Sequence, residues 1–160
     1  MVRLFFVLLL SIPGVIMAQN KPIVAEEFSD LEYLFTQNSD SIQVINFWAT
    51  WCGPCVAELP YFKEAAQQLE GEKVKFIFIS LDFKKQFESR LLPFLEKNEL
   101  LGEKFTLWDM DYNSWIDKVD SDWSGAIPFT LIRSSDKSIG TEASFESADE
   151  LIELIKSMKS

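Results

Sequence analysis

The only two cysteines of the chain, Cys52 and Cys55, lie three positions apart in the segment NFWATWCGPCVAELP, residues 46–60. A structural zinc site takes four ligands, mostly cysteine and histidine, and the chain has 2 cysteines and no histidine. The missing histidine also argues against a Cys-His hydrolytic pair and a c-type haem attachment site. A disulfide between residues three positions apart closes a very short loop and restricts the unfolded chain little. A disulfide that only stabilises the fold is therefore a weak alternative. Thiol redox chemistry is the favoured interpretation.

The flanking segments predict that this pair lies where a strand turns into a helix. Residues 41–48 are rich in β-branched and aromatic side chains, and residues 55–71 have helical periodicity that ends at a glycine. At the N-terminus of that helix, unpaired N–H groups and the helix dipole favour a thiolate on Cys52. Cys55 follows one turn later and is expected to be more buried. The pattern therefore predicts an attacking Cys52 and a resolving Cys55.

Two overlapping motifs carry a family resemblance. FWATWCGPC, residues 47–55, resembles the active-site motif of the thioredoxin superfamily, and CVAELP, residues 55–60, resembles its exported TlpA/ResA-like branch. The resemblance implies an α/β thioredoxin fold over residues 28–160, with a central mixed β-sheet flanked by helices on both faces. It also implies a thiol-disulfide oxidoreductase that uses no cofactor and no metal ion.

The same resemblance suggests which residues contact a substrate. Ile127 and Pro128 precede the predicted strand PFTLIRS at the place where the family keeps a cis-proline beside the cysteines. The backbone of Ile127 would then pair with an extended substrate segment, with Pro128 near the sulfur atoms. The alternative is a proline that only begins an edge strand. Next to the cysteines, the expected substrate-binding residues are Trp51, Gly53 and Pro54.

Glu58 is the predicted proton acceptor for Cys55. Cytosolic thioredoxins, which this segment resembles, have a buried aspartate at the position of Asn46, and an asparagine cannot titrate. Glu58 lies one helical turn after Cys55, where partial burial would raise its pKa towards neutrality. The alternative is a solvated glutamate that pairs with Lys63 or another lysine.

Tryptophan is concentrated around the predicted site. Residues 107–128 contain 3 of the 5 tryptophans. Trp123 lies five residues before Pro128, so we expect it near the site as a further substrate-binding residue. Upstream, we expect Trp51 to be exposed and Trp48 to pack beneath it. The alternative for Trp123 is a core residue under a solvated acidic loop.

The remaining pattern alternates strands with helices, as a mixed sheet covered on both faces requires. We predict strands at residues 42–48, 74–82, 105–109, 128–134 and 138–145. We predict helices at residues 28–35, capped by Ser29 with Glu32, within residues 86–98, near residues 114–119, and at residues 147–158, capped by Ser147 with Glu150.

The amino-terminal segment predicts export. Arg3 precedes an apolar run at residues 4–12, and the small residue Ala18 follows a Pro-Gly break. We interpret residues 1–18 as a signal peptide and residues 19–27 as a short linker. The alternative is an uncleaved membrane anchor. Both interpretations place the domain outside the cytoplasm, and we expect the periplasm.

Composition and resemblance together limit the partners. The formal net charge of −10 argues against nucleic acid. We expect a monomer that reduces disulfides of exported proteins and is reduced again by a membrane-embedded electron donor, which the family implies. The alternatives are an oxidase or isomerase that uses the same cysteines, and a non-catalytic binding module. A thiol peroxidase is disfavoured because the expected Pro- and Thr-containing cysteine loop is not found.

Overall fold

The computed structural model describes residues 21–159. The predicted signal peptide therefore lies outside the described residues. Within them, the chain forms a six-stranded sheet with the strand order β1-β4-β3-β2-β5-β6. The strands are β1 (Ile23–Ala25), β2 (Ile42–Trp48), β3 (Val74–Ser80), β4 (Glu103–Leu107), β5 (Phe129–Arg133) and β6 (Ser138–Thr141).

Within the described residues, four α-helices connect these strands and a fifth follows β6, together with short helical turns. The helices are α1 (Tyr33–Thr36), α2 (Gly53–Gln68), α3 (Leu92–Lys97), α4 (Ile116–Val119) and α5 (Ala148–Ser157). Turns of 3-10 helix lie at Phe28–Asp30, Lys84–Gln86 and Tyr112–Ser114, and a π-helical turn at Phe87–Leu91 leads into α3. α2 ends shortly before Gly71, whose φ of 82° suits glycine and ends the helical path.

The sheet is mixed. β1, β4, β3 and β2 run parallel, while β5 pairs antiparallel with β2 and β6 pairs antiparallel with β5. Both faces are covered, because α2, α3 and α5 contribute to one apolar cluster and α1 and α4 to the other. These features confirm the predicted α/β thioredoxin fold.

β2 occupies the middle of the sheet and positions the site. All seven of its residues are buried, as the run of apolar residues predicted. Successive side chains of a strand point to opposite faces, so Val44 and Trp48 pack on the α2 side and Ile45 and Phe47 on the other. By the same alternation, Asn46 faces α2 from inside the sheet.

Two details near the amino terminus differ from the expectation. β1 lies within the predicted linker, because Ile23 pairs with Phe105 and Ala25 with Leu107, so the folded unit begins before Phe28. A continuous helix opened by Ser29 was wrong: a 3-10 turn and the short α1 form instead. The acceptor at this turn is Asp30, whose carboxylate accepts hydrogen bonds from the N–H groups of residues 26 and 27.

The cap of the last helix is as predicted. Ser147 is the N-cap residue of α5, and its hydroxyl accepts a hydrogen bond from the N–H of Glu150 at 3.2 Å. The predicted apolar face of this helix is buried through Leu151, Ile155 and Met158. This packing fixes the segment just before α5, whose backbone reaches the site.

Candidate functional site

Cys52 and Cys55 lie at the carboxyl end of β2, where the chain turns into α2. Cys52 is the N-cap residue of α2, and its sulfur accepts a hydrogen bond from the N–H of Cys55 at 3.3 Å. The two cysteines form a disulfide in this structure. Cys52 retains 7% of its surface exposed, whereas Cys55 is completely buried. Only Cys52 can therefore be approached by a disulfide of another protein.

The loop before β5 forms the second side of the site. The peptide bond between Ile127 and Pro128 is cis, as the resemblance implied. The carbonyl oxygen of Ile127 lies 3.7 Å from the sulfur of Cys52. Ile127 is partly exposed and Pro128 is buried, while Gly53 and Pro54 are exposed at the start of α2. The predicted substrate-binding backbone is thus adjacent to the accessible sulfur.

Glu58 lies beneath the cysteines, one turn further along α2. It is 1% exposed, which excludes the solvated alternative, and Lys63 instead pairs with Glu99 at 2.9 Å. One carboxylate oxygen accepts a hydrogen bond from the side-chain amide of Asn46 at 3.1 Å, and the other accepts one from the N–H of Phe145 at 3.0 Å. Burial raises the pKa of Glu58 to about 7, although the two hydrogen bonds lower it.

Asn46 connects this carboxylate to β5. Its amide nitrogen donates to Glu58 and also to the hydroxyl of Thr130 at 3.0 Å. Its oxygen is buried without a hydrogen-bond partner among the described residues. Asn46 on β2 carries only an amide, which does not titrate. The titratable carboxyl at this place belongs to Glu58 on α2. The helix that carries Cys55 thus also carries a buried carboxyl group whose pKa is raised to about 7.

The tryptophans divide between surface and core. Trp51 is 44% exposed and Trp48 is buried at 1%, as expected. Trp123 differs from its expected role at the surface: it is 4% exposed, stacks on Phe129 with ring centres 4.3 Å apart, and donates from its indole nitrogen to the carbonyl of Ala126. Its aromatic neighbours remove it from contact with a substrate. Trp123 supports the loop that leads to Pro128 from within the core.

A polar network that we did not predict fixes the segment before Cys52. Asp82 is 1% exposed, and its carboxylate accepts hydrogen bonds from the N–H of Thr50 at 3.0 Å and from the hydroxyl of Ser80 at 2.8 Å. The hydroxyl of Thr50 donates to the other oxygen of Asp82. The sequence predicts Asp82 as the last residue of a strand, whereas β3 ends at Ser80. One feature of the sequence could have indicated this network. Asp82 is an acidic residue at the carboxyl end of the strand beside β2, and the cysteines follow the carboxyl end of β2 at the same edge of the sheet.

Comparison with known proteins agrees with this architecture. The model of the AhpC/TSA family matches residues 24–140, more than half of the chain. The thiol-disulfide oxidoreductase ResA of Oceanobacillus iheyensis is 44% identical over 39 residues, which cover 24% of this chain and 20% of that protein. The sporulation thiol-disulfide oxidoreductase A of Bacillus subtilis is 28% identical over 93 residues, 55% of this chain and 56% of that protein. The chain thus spans between a fifth and about half of these relatives.

Solved structures share the fold over a larger part of their length. A thioredoxin-related protein from Neisseria meningitidis serogroup B superimposes with a TM-score of 0.61 at 19% identity, covering 78% of this chain and 89% of that one. A DsbF homologue from Corynebacterium diphtheriae gives 0.60 at 19% identity, covering 77% and 80%. The chain belongs to the AhpC/TSA family, whose model matches residues 24–140, and these structures share its fold.

Proposed function

We propose that this protein is an extracytoplasmic thiol-disulfide oxidoreductase that reduces disulfides of exported proteins through its Cys52–Cys55 pair. The observation that supports it most is the asymmetry of the two sulfurs. Cys52 is accessible at a helix N-terminus, and Cys55 is buried on the same helix above a carboxyl group that titrates near pH 7. This arrangement gives one cysteine for attack and one for release.

The reaction proceeds in two thiol exchanges. The thiolate of Cys52 attacks one sulfur of the substrate disulfide, which forms a mixed disulfide and releases the other sulfur as a thiolate that takes up a proton. Cys55 then loses its proton to Glu58 and attacks the sulfur of Cys52, which releases the second substrate sulfur as a thiolate that takes up a proton from Glu58 or from solvent. The substrate gains two electrons and two protons, and the protein is left with the Cys52–Cys55 disulfide. A two-electron donor must reduce this disulfide, for which we propose a membrane-embedded protein.

The location is part of the proposal. It is supported by the apolar segment at residues 4–12 with Arg3 before it and Ala18 after it. Among solved structures that share the fold is a disulfide oxidoreductase from Mycobacterium tuberculosis described as secreted. Within residues 21–159, no helix is both long and apolar enough to cross a membrane.

Trapping of mixed disulfides tests the proposal. In a Cys55→Ser variant the attack by Cys52 remains possible, but no thiol is left to release the substrate. After acid quenching, this variant should carry extracytoplasmic proteins that a reductant releases. Cys52→Ser is the matched control and should capture far fewer. Equal capture by the two variants, or none by either, would favour a non-catalytic binding module.

A further inference from the structure

Two exposed aromatic rings stack beside Cys52. Trp51 follows β2 and Phe83 follows β3, and their ring centres lie 6.1 Å apart with the planes inclined by 16°. The two side chains are 44% and 38% exposed. The buried carboxylate of Asp82 binds Thr50, so the residue before each ring is held by the same network. The stack is therefore a fixed apolar surface next to the accessible cysteine.

Two unpaired cations border this stack. The guanidinium of Arg90 lies 3.5 Å from the carbonyl oxygen of Thr50, and the ammonium of Lys85 lies 5.9 Å from the centre of the Phe83 ring. Within the described part of the chain, neither forms an ion pair, although the exposed Glu88 is on the same turn as Arg90. The neighbouring Lys84, in contrast, pairs with Glu26 at 2.8 Å.

We propose that Trp51, Phe83, Lys85 and Arg90 form a docking surface for an extended partner segment that carries an apolar residue and a carboxylate next to its cysteine. We call these four residues the cationic aromatic surface. The inference rests on the proposed function and specifies its substrate class. The proposal is supported by charge complementarity, because Lys85 and Arg90 offer positive charge without an ion-pair partner next to the stacked rings, in a protein whose net charge is −10.

The loop before β5 offers such a segment a second contact. Ile127 presents its carbonyl oxygen 3.7 Å from the sulfur of Cys52, where its backbone would pair with an extended chain. A segment paired there would extend across Cys52 towards the stacked rings. One flanking residue would then meet Trp51 and Phe83, and a carboxylate would meet Lys85 or Arg90.

Matched disulfide probes test the inference. The probes are symmetric disulfide dimers of blocked tripeptides with the sequences Phe-Cys-Glu, Phe-Cys-Gln and Phe-Cys-Lys. The reduced protein is mixed with each dimer, quenched with acid, and the released peptide thiol is measured by chromatography. We expect the glutamate probe to react about tenfold faster than the lysine probe at low salt, with the ratio falling towards one at high salt. The net charge of the protein alone predicts the reverse order.

Two double variants locate the effect. Lys85→Gln with Arg90→Gln should reduce the preference for the glutamate probe to within about twofold. Lys75→Gln with Lys137→Gln removes the same charge from exposed positions at the other end of the sheet and should retain the preference. If both pairs of substitutions lower the preference equally, or if the wild type favours the lysine probe, the inference is wrong.

A small neutral disulfide separates this inference from the proposed function. Reduction of 2-hydroxyethyl disulfide requires the two cysteines. The compound itself has no charged group and no aromatic ring that could dock on the cationic aromatic surface. A protein that fails to reduce it overturns the proposed function. A protein that reduces it but does not distinguish the three peptide probes retains that function and overturns the docking surface.

Discussion

The carboxylate of Asp82 accepts a hydrogen bond from the backbone N–H of Thr50, two residues before Cys52, at 3.0 Å. The contact joins the ends of two adjacent parallel strands, β2 and β3. Because Asp82 is buried, water competes little for its carboxylate. The position of the turn that leads into the cysteines is thus determined by a residue 30 positions after Cys52 in the sequence.

Asp82→Asn tests the importance of this network. The carboxylate accepts from the N–H and hydroxyl of Thr50 and from the hydroxyl of Ser80. An asparagine that turns its oxygen towards the N–H of Thr50 directs its NH₂ group at the Thr50 hydroxyl, which can accept instead of donate. We expect the free energy of unfolding to fall by about 2 kcal/mol, because hydrogen bonds to a carboxylate are replaced by weaker ones to a neutral amide. Urea unfolding of the oxidised protein measures the loss.

Ser80→Ala is the control for that substitution. It removes the hydroxyl that donates to the carboxylate and accepts from the N–H of Asp82 at 3.1 Å, but leaves both bonds from Thr50, so we expect a loss of about 1 kcal/mol. Asp82→Asn should also change the rate at which Cys52 is alkylated in the reduced protein, whereas Ser80→Ala should change it little. A smaller loss of stability in Asp82→Asn than in Ser80→Ala would show that the network does not hold the turn.

The sequence predicted those parts of the fold that local patterns determine. The run of apolar residues in β2, the Ser147 cap of α5 and the helix that begins at the cysteines follow from neighbouring residues alone. The family resemblance added the cis peptide before Pro128 and the burial of Glu58. Both are consequences of tertiary packing that no local pattern contains.

Three features required the folded structure. The hydrogen bond from Thr50 to Asp82 joins residues 32 positions apart, and the one from Phe145 to Glu58 joins residues 87 positions apart. Neither pair can be matched from the sequence, because several acidic residues and many backbone donors compete for each partner. The burial of Trp123 likewise depends on Phe47 and Phe129, which approach it from two adjacent strands of the sheet.

Glu58 should make stability depend on pH. Its pKa is about 7 in the folded protein, against an ordinary value near 4.5, so the native state binds more protons than the unfolded state between these values. The free energy of unfolding should therefore fall as pH rises from about 4.5 to about 7, by on the order of 2 kcal/mol. Urea unfolding of the oxidised protein across this range measures the decrease.

Glu58→Gln isolates this contribution, since the amide retains the shape and removes the titration. The difference in the free energy of unfolding between the wild type and Glu58→Gln should change by the same amount between about pH 4.5 and pH 7. Glu96→Gln changes an exposed glutamate and should leave the curve parallel to that of the wild type. Parallel curves for Glu58→Gln would show that Glu58 titrates in its ordinary range.

The same variant tests the proposed role of Glu58 in resolution. If Glu58 accepts the proton of Cys55, the release of a mixed disulfide should slow below neutral pH as Glu58 becomes protonated. Glu58→Gln should be about tenfold slower in release above pH 7 and should lose this dependence. Stopped-flow measurement of release from a preformed mixed disulfide on Cys52 gives the rate. An unchanged pH profile in Glu58→Gln would assign the proton to another acceptor.

Substitution of two tryptophans should separate the surface from the core. Trp123→Ala removes a buried ring that packs on Phe47 and Phe129, so we expect a loss of about 3 to 5 kcal/mol in the free energy of unfolding. Trp51→Ala removes a largely exposed ring and should cost less than about 1 kcal/mol. Comparable losses in the two variants would contradict the assignment of Trp123 to the core.

The reduction potential decides the direction of the proposed reaction. A strong oxidant owes its high potential to stabilisation of its reduced form. Within the described residues, the sulfur of Cys52 accepts one hydrogen bond, from the N–H of Cys55, and no cationic side chain binds it. We therefore expect a potential on the order of −270 mV, as in reducing thioredoxins, and not one near −120 mV. Equilibration with glutathione, acid quenching and labelling of free thiols give the value, with Cys55→Ser as the control that cannot form the pair. A potential above about −180 mV would identify an oxidase or isomerase that uses the same cysteines.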